Sequence, residues 1–363
     1  MKLSVAQIGH GSITTRHSYA FDRLFKFYNL PFTVDKKVVC GRDQYRLDDY
    51  ANQYGWNEYS TDWESTVSRS DIDIVDICTP DYLHFEMAKK AIECGKHVIC
   101  EKPLVSDPEE AKILVDMAGK AGVLTSTVFN IRYHPGIAAL KHLIKTGALG
   151  NIIHIRASFI MDWALEPMRS SAWRTILESS PLGVLNDLGS HLVDLCRFLG
   201  EEFEEVSGFS RSHMKPGNSP RSDDTAVFTA LFKSGAIGGF EASWVSGGRG
   251  TSGLVFEVHG KSGNAMYEIL RPNELLLQIT DKFGPNKTYE RVKVSEVLGK
   301  ISYPWSDKGE FDLPDAFTML ISDFISSIIN KNSSGPTFTD GYECCRIVSA
   351  VAESGKNKSI INI

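Results

Sequence analysis

The sequence predicts an α/β protein with an N-terminal parallel sheet and a C-terminal α+β domain on a large, mostly antiparallel, open-faced sheet. In residues 1–129, short apolar segments alternate with helix-like segments, which is typical of β-α-β units and a parallel sheet. In the second half, strand-like segments follow one another without helices between them, which favours antiparallel pairing. We therefore expect two domains, over residues 1–129 and 130–363.

Five apolar segments should form the parallel strands of the first domain: Leu3–Ile8, Lys37–Cys40, Ile72–Thr79, His97–Cys100 and Val123–Phe129. One helix is expected over His84–Cys94, because its apolar residues recur near helical spacing. Asp107-Pro108-Glu109-Glu110 should open another helix, because it offers an N-cap, a proline at the first position and a glutamate at the third.

In the second domain the expected strands are Asn151–Ile160, Ala226–Leu231, Ala236–Trp244 and Leu254–His259. Two helices should close the chain, roughly over Leu313–Asn330 and Gly341–Ser354. A sheet with one open apolar face needs that face covered, so we expect a homodimer or a homotetramer.

The composition excludes several classes of partner. The chain has 363 residues and a net charge of −6, which argues against a nucleic-acid partner. Its apolar runs fall short of the ~20 residues that a membrane span needs, so we expect no membrane partner. Seven cysteines, an odd number without a Cys-x-x-Cys pair, predict a reducing, cytoplasmic location.

The first strand–helix junction reads Gly9-His10-Gly11-Ser12-Ile13-Thr14. Two glycines here fit dinucleotide binding, because one permits the tight turn and the other lets the backbone approach a pyrophosphate at a helix start. Thr14 stands where the strict pattern has a third glycine or alanine, and a simple strand–helix turn is the alternative. A Rossmann domain is therefore expected, with cofactor contacts at Gly9, Gly11, Ser12 and Ile13.

At the end of the second strand the sequence is Gly41-Arg42-Asp43, where a ribose-binding acid is usual. The acid is displaced and Arg42 can bind a 2′-phosphate through two hydrogen bonds. This slightly favours NADP over NAD. The alternative is a solvated Arg42 beside an Asp43 that begins a turn.

A lysine follows the strand His97–Cys100 in the segment Glu101-Lys102-Pro103. Pro103 disfavours helical geometry at Lys102, and ligands bind at the carboxyl ends of parallel strands. Lys102 is therefore either a catalytic or binding group or an ordinary lysine at the rim of the sheet.

Asp187 and His191 stand four residues apart on a predicted helix, so they should share a face. A carboxylate beside a histidine can orient the imidazole and raise its basicity. A helix-surface pair or a capping Asp187 is the alternative. Asp194 extends the same face, but a second histidine at zinc-binding spacing is missing, so we expect no metal.

Taken in order, these motifs resemble the Gfo/Idh/MocA oxidoreductase family over nearly the whole chain. The resemblance rests on Gly9-x-Gly11, Thr79-Pro80-Asp81-x-x-His84, Gly95-Lys96-His97-Val98-x-x-Glu101-Lys102-Pro103, Asn130-x-Arg132, Trp173-Arg174 and Asp187-x-x-x-His191. Asp162-Trp163 and Trp173-Arg174 resemble sugar and polyol dehydrogenases of the levoglucosan and inositol type. One departure is Ser179-Ser180-Pro181-Leu182-Gly183, where relatives are often richer in glycine.

The resemblance implies an NAD(P)-dependent dehydrogenase that oxidises a secondary hydroxyl of a sugar or polyol by hydride transfer. Lys102 and His191 would be the acid–base pair, and Asp187 would hold the substrate or steady the histidine. Implied cofactor contacts, besides the glycine loop and Arg42, are Thr79, Pro80, His84, Glu101, Lys102 and Asn130. Implied substrate contacts are Lys102, Arg132, Asp162, Trp163, Trp173, Arg174, Asp187 and His191, although a tryptophan or arginine there can also simply pack or pair.

Two other function classes stay open. The same fold serves glycosidase-like enzymes that hold NAD and recycle it within one turnover. It also serves non-catalytic regulators that bind a dinucleotide as a signal. A regulator can lose the lysine or the histidine, and this chain keeps both, which argues against that class.

Overall fold

The computed structural model describes residues 2–27, 32–166, 173–214, 220–247, 253–279, 288–299, 311, 313–332 and 334–363. The chain divides into two compact units, Met1–Asn130 with Asp312–Cys345, and Ile131–Phe311 with Arg346–Ile363. The predicted second domain, residues 130–363, includes residues 312–345, which group here with the first unit.

The first unit is built on a parallel sheet of six strands in the order β3-β2-β1-β4-β5-β6. The strands are β1 (Lys2–Ile8), β2 (Thr33–Cys40), β3 (Glu58–Ser60), β4 (Ile74–Ile77), β5 (His97–Cys100) and β6 (Thr125–Thr127). β4 is buried throughout, as expected for a strand covered on both faces. The predicted parallel Rossmann sheet is confirmed, and the short edge strand β3 was not predicted.

The helices of the chain lie between and after these strands. They are α1 (Ser12–Phe27), α2 (Gln44–Tyr54), α3 (Trp63–Ser68), α4 (His84–Glu93), α5 (Pro108–Ala121), α6 (Pro135–Lys145), α7 (Ser190–Leu199), α8 (Val294–Leu298), α9 (Leu313–Asn330) and α10 (Phe338–Asn357). Asp107 caps α5 by accepting the Glu109 N–H at 2.9 Å, as predicted. α9 packs on α1, and Arg23 pairs with the buried Asp315 at 2.8 Å. This packing explains why α9 groups with the first unit. Within the described part of the chain, no helix is long and apolar enough to cross a membrane.

The second unit is built on a sheet in the order β14-β13-β12-β11-β7-β10-β9-β8-β15. Its strands are β7 (Ile152–Ile160), β8 (Phe203–Arg211), β9 (Thr225–Phe232), β10 (Ile237–Ser243), β11 (Gly253–Gly260), β12 (Gly263–Glu268), β13 (Glu274–Ile279), β14 (Glu290–Lys293) and β15 (Ile361–Asn362). β7 and β10 pair in parallel, and the other recorded pairs are antiparallel. The mostly antiparallel sheet is therefore confirmed.

The two faces of this sheet differ in character. On the inner face, buried phenylalanines from neighbouring strands stack, with the Phe228 and Phe240 ring centroids 4.7 Å apart. On the outer face, Phe209, Val227 and Ile237 are 67%, 52% and 57% exposed. This alternation along β8, β9 and β10 leaves apolar side chains open on one side, as the sequence pattern predicted.

Candidate active site

The candidate site residues of the first unit lie near the carboxyl ends of β1 and β4, where the strand order of the sheet reverses. Gly9 follows β1 with a φ of 123°, and its N–H donates to the Cys40 carbonyl at 2.7 Å. A Cβ at Gly9 would come within 2.7 Å of the Cys78 carbonyl oxygen. Both the backbone conformation and the close approach of the β4 end therefore require glycine.

Gly11 directly precedes α1, which begins with Ser12 and Ile13. A Cβ at Gly11 would meet nothing within 4 Å, so this glycine faces open space. The Gly11 N–H donates to the hydroxyl of Thr14 at 3.2 Å, and Thr14 is buried where the third glycine of the strict pattern would stand. The open approach and the first-turn N–H groups of a 16-residue helix fit a dinucleotide pyrophosphate.

At the end of β2 a glycine stands where a ribose-binding acid is usual. A Cβ at Gly41 would overlap the imidazole of His10, so an acidic side chain there would require His10 to move. Asp43 instead caps α2 by accepting the Arg46 N–H at 3.3 Å, while Arg42 is exposed. Burial lowers the pKa of His10, with a smaller opposing effect of Asp43. His10 was not among the predicted site residues, and its closeness to Gly41 is visible only in the structure.

The loops after β4 and β5 carry Thr79, Pro80 and Lys102. Backbone bonds fix the end of β5, because the Glu101 N–H donates to the Ile77 carbonyl at 2.9 Å. The Lys102 N–H donates to Oε2 of Glu101 at 3.0 Å, and the Lys102–Pro103 peptide is cis. Lys102 is partly exposed.

His84 joins these two loops. Its Nε2 lies 2.9 Å from the Thr79 carbonyl oxygen, and its Nδ1 lies 3.0 Å and 3.1 Å from those of Pro103 and Leu104. The ring is buried, with 1% of the residue exposed. His84 therefore sets the spacing of the loops on which Thr79 and Lys102 stand, and direct contact with a cofactor stays a prediction.

A buried ionic cluster, which the sequence analysis did not identify, lies beneath the Lys102 loop. The Nδ1 of His17 is 2.9 Å from Asp76 Oδ1, and its Nε2 is 3.0 Å from Glu101 Oε1. Burial alone would lower the pKa of His17, but Asp76 and Cys78 raise it well above its usual value. Ligand atoms of His17, Asp76 and Cys78 lie within 4.8 Å of one another, and hydrogen bonds already join them.

In the second unit, Asp187 lies in a π turn, Leu185–Gly189, that leads into α7. The predicted helix is confirmed, but the π turn at its start was not foreseen. The indole N–H of Trp244 donates to Oδ2 of Asp187 at 3.1 Å, and Nε of Arg174 lies 3.5 Å from Oδ1. A π turn widens the helix locally and is frequent at functional sites.

Three tryptophans are linked to this carboxylate by a series of contacts, Trp244 directly, Trp163 through Trp244 and Trp173 through Arg174. The Trp163 and Trp244 ring centroids are 5.2 Å apart, and the Arg174 guanidinium lies 4.4 Å from the Trp173 ring centroid. Asp162 directly precedes the short 3₁₀ helix Trp163–Leu165. The structure thus brings together Trp163, Trp173, Arg174 and Asp187, and it adds Trp244, which the sequence analysis placed only in a strand.

The segment that carries Trp173 and Arg174 is held by residues 220–223. The Ser222 N–H donates to the Thr175 carbonyl at 3.1 Å, and Ile176 bridges to Arg221. Gly183 has a φ of 49°, and a Cβ there would overlap the Asp223 carbonyl. Gly183, at the end of the unusual segment Ser179–Gly183, is therefore required by close packing.

His191 lies in the first turn of α7 and is 6% exposed, with its ring centroid 5.8 Å from that of Phe159. Arg132, a predicted substrate contact, forms a buried ion pair with Asp194, with Nε 2.9 Å from Oδ2. The sequence left open that Arg132 simply pairs with an acidic residue, and it does so here. Substrate contact by Arg132 stays a prediction. Asn130 is 8% exposed at the start of the 3₁₀ helix Asn130–Tyr133.

Two family models match the chain. One, described as an oxidoreductase family with an NAD-binding Rossmann fold, matches residues 3–129. The other, the GFO/IDH/MocA C-terminal domain, matches residues 137–266.

Known proteins are similar over the same regions. The levoglucosan dehydrogenase of Pseudarthrobacter phenanthrenivorans is 29% identical over 99% of this chain and 98% of its own. A solved structure of levoglucosan dehydrogenase with NADH and levoglucosan superposes with a TM-score of 0.92, at 29% identity over 100% of both chains. The NAD-dependent scyllo-inositol 2-dehydrogenase of Bacillus subtilis is 32% identical over 58% of this chain and 60% of its own.

Proposed function

Because the chain belongs to the Gfo/Idh/MocA family of NAD-binding oxidoreductases, we propose that it oxidises a secondary hydroxyl of a sugar or polyol by hydride transfer to NAD(P). The substrate class is that of inositols and anhydrosugars. The observation that carries this proposal is the cluster of Trp163, Trp173, Trp244, Arg174 and Asp187 in the second unit.

The chemistry of this cluster suits a carbohydrate. Indole rings offer flat apolar faces against which the C–H faces of a pyranose or inositol ring can pack. Arg174 and Asp187 offer charged donors and acceptors for hydroxyl groups, and a few such groups in an apolar pocket give orientation and specificity. The names of the similar proteins, levoglucosan dehydrogenase and scyllo-inositol 2-dehydrogenase, support the same class.

The proposed roles follow from the functional groups. His191 accepts the proton of the reacting hydroxyl as general base. The ammonium of Lys102 stabilises negative charge that develops on the same oxygen. Asp187 holds a second substrate hydroxyl or steadies His191. A bound nicotinamide would supply the hydride acceptor for the carbinol carbon.

The cofactor contacts belong to the first unit. We propose that the Gly9–Ile13 turn binds the pyrophosphate and that Thr79, Pro80, Asn130 and the backbone of Glu101 line the cofactor site, since the Glu101 carboxylate is bonded to His17 and to the Lys102 N–H. Arg42, exposed next to a glycine where a ribose-binding acid is usual, favours the 2′-phosphate of NADP. The NADH complex of the similar levoglucosan dehydrogenase favours NAD. Both cofactors therefore belong in the assay.

The experiment that tests the proposal is cofactor reduction with levoglucosan, scyllo-inositol, myo-inositol and glucose, with NAD and NADP in parallel. Reduction of NAD or NADP in the presence of one of these sugars or inositols supports the proposal. A panel of nitrophenyl glycosides is assayed beside it. Release of nitrophenol with no net cofactor reduction by any polyol would indicate a glycosidase-like enzyme. NADH binding without either activity would indicate a regulator, and either outcome would overturn the proposal.

We also propose that the chain forms a homodimer or homotetramer through the outer face of the second sheet. Phe209 and Val227 are register partners on that face, and both are more than half exposed. Light scattering on a gel-filtration peak measures the mass directly, and a monomer at micromolar concentration would contradict the proposal. A cytoplasmic location stays a prediction from the cysteine content.

A further inference from the structure

We propose that His17 and Glu101 are positioning residues that fix the backbone of Lys102 for hydride transfer. The inference rests on the proposed function, since it assigns these residues to the lysine of that reaction. All of the residues involved lie in the first unit. His17 belongs to α1 and Asp76 to β4, and Glu101 directly follows β5.

Glu101 is the link between His17 and Lys102. One carboxylate oxygen lies 3.0 Å from Nε2 of His17, and the other accepts the Lys102 N–H at 3.0 Å. Glu101 is only 7% exposed, so water offers it little alternative pairing. A carboxylate held at both oxygens cannot rotate without losing a buried hydrogen bond, and it therefore fixes the orientation of the Lys102 peptide.

His17 is in turn held from several sides. Its Nδ1 lies 2.9 Å from Asp76 Oδ1 and 3.3 Å from the Cys78 sulfur, both from the β4 end. Its ring centroid lies 5.3 Å from that of Phe317 on α9. Asp76 also accepts a hydrogen bond of 2.8 Å from Gln7 of β1. His17, with 0% of the residue exposed, thus connects the core of the sheet to Glu101.

The charges within this cluster depend on one another. Both ring nitrogens of His17 face carboxylate oxygens, an arrangement that satisfies two N–H donors of an imidazolium. Removing one partner of a buried ion pair leaves an uncompensated charge, which is strongly unfavourable. Without His17, Glu101 would turn toward water or take up a proton, and in either case its hold on the Lys102 N–H would weaken.

Displacement of Lys102 should cost more in turnover than in binding. The ammonium acts on the reacting oxygen, and a misplacement of about 1 Å can lower a rate about 100-fold. The pyrophosphate turn Gly9–Ile13 lies outside the cluster, so dinucleotide affinity should change little. A role limited to stability would lower the unfolding midpoint and leave kcat of the folded protein unchanged.

The experiment compares His17→Gln and Glu101→Gln with His97→Gln in the full chain. His97 lies at the opposite end of β5, where its Nδ1 accepts the Leu124 N–H at 2.9 Å, so it is a matched control. With the polyol that reduces the cofactor fastest among levoglucosan, the inositols and glucose, we expect kcat to fall tenfold or more in the two variants. The NADH dissociation constant should stay within about threefold. His97→Gln should keep kcat.

Two further measurements complete the test. The double variant should be no slower than the slower single variant, because both changes release the same contact. Amide exchange, followed by mass spectrometry in peptides that contain Lys102, should accelerate in both single variants and not in His97→Gln. This second measurement requires no turnover, so it stays informative if no polyol is oxidised and the proposed function fails.

Unchanged kcat in both folded variants would overturn the positioning role, as would unchanged exchange at Lys102. Equal losses of kcat in all three variants, the control included, would show a general effect of disturbing β5. That result would also overturn the positioning role. If His17→Gln does not fold, Glu101→Gln alone decides, because it keeps the shape of the side chain and removes only the charge.

Discussion

The indole N–H of Trp244 donates to a carboxylate oxygen of Asp187 at 3.1 Å, joining residues 57 positions apart. Trp244 directly follows β10 and is fully buried, whereas Asp187 stands in the π turn before α7. The orientation of this carboxylate therefore depends on the sheet as well as on its own helix.

Replacing Trp244 with phenylalanine should lower kcat/KM for the polyol about tenfold, because hydrogen bonds to charged groups contribute about 1.5–3 kcal/mol. The NADH dissociation constant should not change. Trp56→Phe is the matched control, since Trp56 is a buried tryptophan whose indole N–H donates to Ser18 in the first unit at 3.0 Å. Equal losses of kcat/KM in both variants would show that the effect is not specific to the hydrogen bond of Trp244.

Arg42→Ala should lower kcat/KM with NADP tenfold or more and change that with NAD less than about twofold. The reason is that a bidentate, charge-assisted contact to a 2′-phosphate is lost, and NAD has no such phosphate. Steady-state kinetics with the two cofactors on one enzyme preparation measure the ratio, and NAD serves as the internal control. A ratio that stays constant would show that Arg42 is only a solvated residue at the sheet edge.

The stability of the first unit should fall as the pH rises above about 6.5, the ordinary pKa of histidine. The pKa of His17 is raised in the folded state: burial lowers it, and Asp76 and Cys78 raise it by more. The raised pKa stabilises the fold fully below 6.5, and the effect is lost as the pH rises through the folded value. Glu101 and Phe317 also lie against the ring.

Urea unfolding at a series of pH values measures this dependence. A variant with His17→Gln, Asp76→Asn and Glu101→Gln, which removes the charges and keeps the shapes, should lack the decline above pH 6.5. A wild-type midpoint that rises over the same range relative to the variant would contradict an imidazolium at His17.

His134 in the second unit predicts the opposite dependence. Burial lowers the pKa of His134 to about 3, and its Nδ1 lies 3.0 Å from the hydroxyl of Tyr267. Because the unfolded chain takes up this proton more readily, stability should fall as the pH drops from about 6.5 toward 3. His134→Phe should weaken that acid dependence by one linked proton, measured by urea midpoints, and an unchanged dependence would contradict the assignment.

Much of the first unit was predictable because its signals are local. β5 was predicted with its observed bounds, since an apolar run stands between Gly95 and the Glu101-Lys102-Pro103 segment. Asp107 and Pro108 likewise mark the start of α5 within four residues of sequence. The helix Leu313–Asn330 was also predicted with its observed bounds, but not its packing on α1, because such packing depends on distant partners.

What the sequence did not reveal depends on contacts between distant residues. His17 meets Asp76 and Glu101 across 59 and 84 residues, and nothing beside it in the sequence marks the pairing. The π turn at Leu185–Gly189 leads directly into an α-helix, and its residues read as part of the same helical pattern. Trp244 follows a strand like any core residue, and only its hydrogen bond identifies it.

We propose that Lys102 and His191 perform acid–base chemistry on a polyol hydroxyl. The turnover of Lys102→Ala and His191→Ala with the best polyol, with NADH binding measured in parallel, tests these roles most directly. We predict that each variant loses about two decades of kcat or more, as expected for a positioned acid or base, and still binds NADH. Wild-type turnover in both folded variants would contradict the claim.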